Sequence, residues 1–380
     1  MSERYSGITR LRSGEYETLC LQAVRSGFPV MNIRCLSDSR LYIMFDEVLD
    51  ENQDVNPLRV QCLNVIRLDI KAGEYVFQGM EPLGYKYLKL VCLYGETEIT
   101  GLCIREVRCP VPIKKFSPME TLEENIVFEA AVQTFSQNAA DLFTDCPTRE
   151  RAGWLCDSFF IGRAERLFTG ANLMEKQFLE NFLLPSGFKN LPEGMLPMCY
   201  PADHFNGVYI PNWAMWYAIE LIDYFRRTED SELVGRAHPR MKKLVEFFER
   251  FENEDGLLER LDSWVFIEWS KANDLIQDIS FPTNMTYSAV LKGLGRLYSV
   301  PEWIKKGESV AETIRRLSYD GQFFVDNQVY RDGKRVLSGE RTETCQYYAF
   351  FFDIASPETY PELWKRLVED FGPHRTDKGL

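Results

Sequence analysis

DCPTRERAGWLCD, residues 145–157, lies between two runs of helical apolar periodicity, and Pro147 and Gly153 break any helix through it. Asp145, Glu150 and Asp157, with Glu165 a little further on, are interleaved with Arg149, Arg151 and Trp154. One reading is a loop between helices with solvated charges. The other is a sugar-cleaving site. There, an indole face carries the apolar side of a ring, and Arg and Asp fork its hydroxyls. One carboxylic acid protonates the leaving oxygen. A Trp, a Cys and paired Arg residues are more than a solvated connector needs.

Upstream of this stretch the chain reads as strands to about residue 115. The segments are Glu17–Ala23, Leu41–Phe45, Leu58–Ile66, Glu74–Gln78, Tyr87–Tyr94 and Glu98–Val107. Turn clusters such as Ser37-Asp38-Ser39, Lys71-Ala72-Gly73 and Gly95-Glu96 separate them. Short strands with tight turns predict an antiparallel β-sandwich over 1–115, and Cys109-Pro110-Val111-Pro112 reads as its exit linker.

From about 118 the period becomes helical. Thr121 and Glu124 form a capping-box pair before Ile126, Ala130, Val132 and Phe135. Further helices are expected at 155–169, 171–184, 210–228, 231–253, 283–298, 301–318, 341–355 and 358–371, with Pro301 and Pro357 near helix starts. The helix from Ile210 is apolar almost all round, which predicts burial on most of its surface. Successive helical hairpins with long loops at 185–209 and 254–282 point to a toroid of αα pairs over 116–380 rather than a four-helix bundle. No repeat of fixed sequence period is visible.

The bulk composition agrees with a folded enzyme-sized chain. It has 380 residues, of which 45% are hydrophobic and 13% aromatic, enough to fill a sizeable core. The net charge, 44 − 57 = −13, argues against nucleic acid or an anionic membrane as partner. Ten cysteines without a CxxC pair and three histidines give a zinc site little to work with, and scattered thiols suit a reducing compartment. The N-terminal residues MSERYSGITR contain no apolar signal core, and no run is long enough to span a bilayer, so a cytoplasmic location is expected.

Three further islands accompany the first. Ile210-Pro211-Asn212-Trp213 opens the most apolar helix; Trp213 suits a sugar platform, and Trp216 suits core packing. Glu268-Trp269 again pairs an acid with an indole, and the competing reading is a Glu268–Lys271 ion pair. Around Arg341–Tyr348, helix capping by Thr342 with Glu343 in the first turn is the simpler explanation. His204 is a candidate ligand contact from its loop. Cys146 is rejected as a nucleophile, because acidic neighbours raise its thiol pKa and no histidine is nearby in sequence.

These residues resemble the bacterial α-L-rhamnosidases, inverting glycoside hydrolases whose (α/α)6-barrel catalytic domain follows β-sandwich modules. Besides 145–157, the likeness rests on Asn64-Val65-Ile66-Arg67 with Gly73-Glu74-Tyr75, on Ile210-Pro211-Asn212-Trp213, on Glu268-Trp269, and on Phe281-Pro282-Thr283-Asn284-Met285. By position, the resemblance implies Glu150 as general acid. It implies Asp145, Arg149 and Asp157 on the rhamnose hydroxyls, and Trp154, Trp213 and Trp269 as aromatic walls. Glu268 joins the substrate-binding set. An α-L-rhamnoside is the implied substrate, with no metal or organic cofactor.

The Arg149–Glu150 spacing follows a short form of the motif. An inverting enzyme also needs a carboxylate that activates water, roughly 6.5–9.5 Å from the acid. The resemblance implies that this base lies beyond Leu380, since the chain holds roughly nine of the twelve helices of such a barrel. Glu268 and Glu343 are the substitutes within the chain. A shortened barrel would leave apolar faces of inner helices uncovered. Two other readings stay open: a rhamnoside-binding fragment without the base, and a similar barrel acting on another sugar. A uronate-specific barrel would need a basic cluster, and only Arg149 and Arg151 lie near the motif.

Overall fold

The computed structural model describes residues 7–201, 206–372 and 375. Two compact units emerge: the residues through Gly153 together with Ile161–Met174, and Trp154–Phe160 together with the residues from Glu175 onward.

The first unit begins with seven antiparallel strands: β1 (Thr9–Arg12), β2 (Tyr16–Cys35), β3 (Ser39–Asp46), β4 (Val65–Ile70), β5 (Gly73–Gln78), β6 (Leu83–Tyr94) and β7 (Glu96–Glu106). Their order is β1-β7-β2-β6-β3-β4, with β5 also on β2. The 20-residue β2 organises the sheet. Its first half, Tyr16–Gly27, pairs with β6, and its second half pairs with β7 on one side and β5 on the other. The partners change at Gly27, where a Cβ would lie 2.4 Å from the Arg105 carbonyl oxygen; only glycine permits that approach. The two halves of the sheet fold over one apolar core that includes Met31, Ile33, Leu41, Ile43, Leu90 and Ile99. Strict alternation on β3 puts Leu41, Ile43 and Phe45 into it. This is the expected sandwich.

One expected strand is wrong. Leu58–Ile66 is not extended before Val65, and Leu58 and Leu63 are exposed. The Asn56 side chain accepts the Leu58 N–H (3.0 Å) and Gln61 adopts φ +59°, so local turn bonds win over the apolar pattern.

Helix α1 (Leu122–Asn138) starts at the anticipated box: Thr121 accepts the Glu124 N–H and Glu124 accepts the Thr121 N–H. Phe128 and Phe135 of α1 pack with Phe116 and Phe168 as an aromatic cluster. Next come α2 (Asp157–Thr169) and α3 (Leu173–Asn181).

The second unit carries α4 (Pro211–Thr228), α5 (Ser231–Glu249), the short strand β8 (Ile279–Ser280), α6 (Phe281–Leu297) and α7 (Pro301–Ser318). A hairpin, β9 (Asn327–Arg331) and β10 (Lys334–Leu337), precedes α8 (Glu343–Phe351) and α9 (Pro361–Glu369). Helices α4 and α6 are buried nearly all round, whereas α5, α7 and α9 bury one face. Contacts run α4–α5, α6–α7, α4–α6 and α6–α8, with Phe350 on Trp364 joining α8 to α9. Inner and outer helices therefore alternate along the chain, as the αα-pair reading requires. Pro357 does not start a helix: α9 opens at Pro361, and α8 stops at Phe351, where Asp353 (φ +57°) turns the chain. The β9–β10 hairpin was not anticipated, although Asp332-Gly333 (φ +50° and +73°) is a strong two-residue turn signal.

The inner helices share a device. Each starts beside a buried amide side chain that hydrogen-bonds a distant backbone. Asn212 Oδ1 accepts the Phe266 N–H (3.2 Å). Asn284 accepts the Leu258 N–H (2.7 Å) and donates to the Leu258 and Ser280 carbonyls. Gln346 accepts the Phe324 N–H (2.9 Å) and donates to the Phe324 and Thr342 carbonyls. No residue spacing repeats between the three, so the repeat is structural only.

Candidate functional site

The motif passes from the first unit to the second between Gly153 and Trp154. In the first unit, residues 145–152 close into a clip: Asp145 Oδ1 accepts the Ala152 N–H (3.1 Å) and the Asp145 N–H donates to the Ala152 carbonyl (3.2 Å). Arg151, at φ +51°, fixes the clip to the sandwich by donating to the Pro82 carbonyl (2.8 Å) and pairing with Glu81 (3.0 Å). Thr148 donates to the Glu47 carboxylate, and it fits only because residue 84 is glycine; a Cβ there would lie 2.8 Å from Thr148 Oγ1. Arg149 and Glu150 close on each other as an ion pair, both partly exposed. Burial pushes the Cys146 thiol up and the Asp145 side chain adds to that, against backbone N–H groups that pull it down. The thiol is therefore a poor nucleophile.

Glu150 and Arg151 also line a cavity of about 640 Å³ within this unit, with Ser26, Phe28, Glu81, Pro82 and Asp141 among its walls. That volume suits a small molecule.

In the second unit, Leu155 donates to the Met198 carbonyl (2.9 Å) and Trp154 bridges to Cys199, fixing the start of α2, where Asp157 is the first helical residue. A cavity of about 780 Å³ is lined by Cys156, Phe160, Trp213, Trp216, Glu268, Tyr348 and Phe351, among others. Trp213 is 8% exposed and meets Phe266 edge-on at 5.2 Å; Phe266 in turn meets Trp269 at 4.8 Å. The Asn212 bond to the Phe266 N–H positions this loop on α4, and Asn212 Nδ2 continues to Thr283 at the start of α6 (3.0 Å).

Glu268 is held in place from three sides. Its Oε1 accepts from Thr344 (3.0 Å) and from Ser270, while the Asn273 amide bonds the backbone on both sides of it. The carboxylate is thus taken by hydroxyls, not by Lys271. Burial holds the Cys156 thiol well above its ordinary value, with Asp157 and Glu220 adding to the effect, so this wall is uncharged. Glu220 itself is fully buried on α4 and accepts from Ser158 (2.5 Å). Burial, then the charge of Glu175, holds its carboxyl well above the usual range.

The expected residues therefore fall into two sets. Asp145, Arg149 and Glu150 stand together in the first unit, and Trp213 and Trp269 are joined through Phe266 in the second, with Glu268 on the same loop and Trp154 and Asp157 at the start of α2. Trp269 is 83% exposed and stands outside the cavity; Trp216 is buried as expected, packs on Phe159 and Phe352, and also contributes to the cavity lining. His204 lies outside the described residues. Sequence reasoning missed Cys156, Phe160 and Tyr348 as cavity walls. The one available signal was the motif's own Cys156 next to Asp157.

A β-rich module followed by helical hairpins, with aromatic and carboxylate side chains around a cavity, is the class of helical-barrel glycosidases. The chain belongs to one family within it: residues 119–371 match the bacterial alpha-L-rhamnosidase six-hairpin glycosidase domain. A curated α-L-rhamnosidase from Formosa agariphila is 21% identical over 257 residues, covering 63% of this chain and 24% of that protein. The GH78 family rhamnosidase of Bacillus sp. GL1 has the same fold, with a TM-score of 0.83 at 18% identity over 93% of this chain and 37% of that one. A rhamnosidase from Klebsiella oxytoca, solved with rhamnose bound, gives 0.79 at 16% identity over 95% and 72%. The chain thus spans about a quarter of the length of the curated relative. Among the described residues, no helix is long and apolar enough to cross a membrane.

Proposed function

We propose that this chain acts on α-L-rhamnosides as an inverting glycoside hydrolase, with Glu150 as general acid. The observation that carries the reading is the family match across 119–371, which contains the whole 145–157 motif. Glu150 donates a proton to the departing glycosidic oxygen. Arg149, closed on Glu150 in the free protein, moves to a sugar hydroxyl on binding and frees the carboxyl. Asp145 and Asp157 take further hydroxyls, and Trp154 and Trp213 supply apolar faces, with the exposed Trp269 reached only from outside the cavity. Glu268, held by Thr344 at the aromatic cavity, is a hydroxyl acceptor and the first candidate to activate water. Glu343 is less suited, because Tyr347 and Arg375 already occupy its carboxylate. The division of labour we propose is a β-module over 1–115 and a catalytic domain over 116–380. Ten scattered cysteines without a CxxC pair suit a reducing, cytoplasmic setting.

The test is hydrolysis of an aryl α-L-rhamnoside, with the anomer of the first product followed by NMR. Glu150→Gln should lose more than about 10²-fold in turnover, and β-rhamnose should appear first. Unchanged turnover in Glu150→Gln sinks the assignment. Saturable rhamnose binding without turnover favours a binding protein instead.

A further inference from the structure

We propose that the cavity beside Glu150 in the first unit is the leaving-group site, and that it selects a hydroxylated, sugar-type leaving group over a planar aryl one. The inference rests on Glu150 as the acid. A general acid protonates the bridging oxygen, so it must lie within hydrogen-bond reach of that atom. The group that departs with the oxygen is therefore adjacent to the acid. Glu150 lines a cavity of about 640 Å³, a volume suited to a small ligand.

Its walls have a mixed character that fits a pyranose. Glu81, Asp141, Ser26, Thr144 and Arg151 offer acceptors and donors, and Phe28, Pro82, Val107 and Leu142 offer apolar surface. Phe28 is the sole aromatic side chain in this lining, so there is no pair of rings to sandwich a flat aryl group. The cavity is also built rather than incidental. Arg151 anchors the Glu150 loop to the sandwich through the Pro82 carbonyl and Glu81, and the Val107 N–H donates to the Ser26 carbonyl (2.9 Å), tying two further lining residues together. The β-module thus supplies part of the substrate site and is more than an appendage to the helical domain.

The experiment compares kcat/KM for an α-L-rhamnosyl-glucose disaccharide and for p-nitrophenyl α-L-rhamnoside in the wild type, Pro82→Trp and Val107→Phe. Both substitutions narrow the cavity and leave the motif intact, and the second serves if the first does not fold. The disaccharide-to-aryl ratio should fall at least about tenfold in either variant, mainly through the disaccharide KM, as expected for the loss of one or two polar contacts. A ratio unchanged in folded variants overturns the proposal.

A binding arm is independent of turnover: saturation-transfer NMR with methyl β-D-glucoside. Contact with the wild type that is lost in Pro82→Trp supports the site, and no contact, or equal contact in both, overturns it. If the wild type cleaves neither substrate, the hydrolase reading fails, and the binding arm still decides the cavity.

Discussion

The sandwich and the helical unit differ in the kind of polar group they bury. The sandwich core is made of side chains such as Met31, Ile33, Leu41, Ile43 and Leu90, and the polar groups buried with them are mostly small hydroxyls (Thr9, Ser26, Ser39, Thr97), with Asp46, held by Arg59, and Asn64 as the larger ones. The helical unit buries Asn212, Glu220, Asn284, Lys292, Asp326 and Gln346. The difference lies in how each satisfies its peptide groups. A sheet pairs its backbone in ladders, so its core side chains need only be apolar. The inner helices start beside long loops whose peptide groups are buried without a ladder, and side-chain amides complete them. The lesson is that the helical unit relies more on the geometry of its buried amides, and the sandwich more on paired strands and packed volume.

All seven tryptophans lie in the second unit, so indole fluorescence reports that unit alone and allows the comparison to be tested directly. The largest stability effect should come from Asn284→Leu. It strands the Leu258 N–H and the Leu258 and Ser280 carbonyls, at roughly 1–3 kcal/mol for each buried unsatisfied group. A loss of about 4 kcal/mol is expected in urea unfolding followed by fluorescence. If Asn284→Leu costs no more than Ile43→Val in the sandwich, about 1 kcal/mol by circular dichroism, the contrast collapses.

Asp326 comes next and sharpens the comparison through pH. Burial raises its carboxyl from 3.8 to about 6, although Thr342 donates to both oxygens (2.7 and 2.5 Å). The folded state therefore holds this proton more tightly than the unfolded one. The contribution is fully present below about pH 4 and is lost as pH rises to about 6, by roughly 3 kcal/mol in all. Asp326→Asn lacks that slope, so its melting temperature relative to wild type should improve between pH 4 and pH 7. A constant difference across that range would mean that Asp326 titrates normally. The smallest effect is expected at Thr121→Ala, where only an exposed cap is lost: about 1 kcal/mol, local to α1 and read by hydrogen exchange.

Much of the fold could be read locally. The Thr121–Glu124 box, Thr342 as a cap, Pro301 at a helix start and the all-round apolar character of α4 each need only a few neighbouring residues, and each stands as expected. The expected strand Glu17–Ala23 is only the first part of β2, which runs on through Gly27 and Pro29 to Cys35. They are tolerated because Gly27 meets β7 closely and the Pro29 carbonyl accepts the Gly79 N–H (2.9 Å). The Leu58–Ile66 error runs the other way, an apolar pattern overridden by an Asn56 turn. Among the candidate residues, Glu150, Trp213 and Glu268 are visible as motif residues, and Trp216, expected in the core, is buried there while also lining the cavity, a double role that sequence periodicity does not show.

By itself the sequence determined the two regimes, strand then helix, and placed the acid-bearing loop between helices. Those are properties of period, capping and turn chemistry, which act over a few residues. Tertiary structure alone decided which distant groups share a wall, as Cys156, Trp213, Glu268 and Tyr348 do. It also decided which buried amides and carboxyls find partners, as Asn284 does with Leu258 and Asp326 with Thr342. Burial and hydrogen-bond partners belong to the packed chain, and no short stretch of sequence carries them.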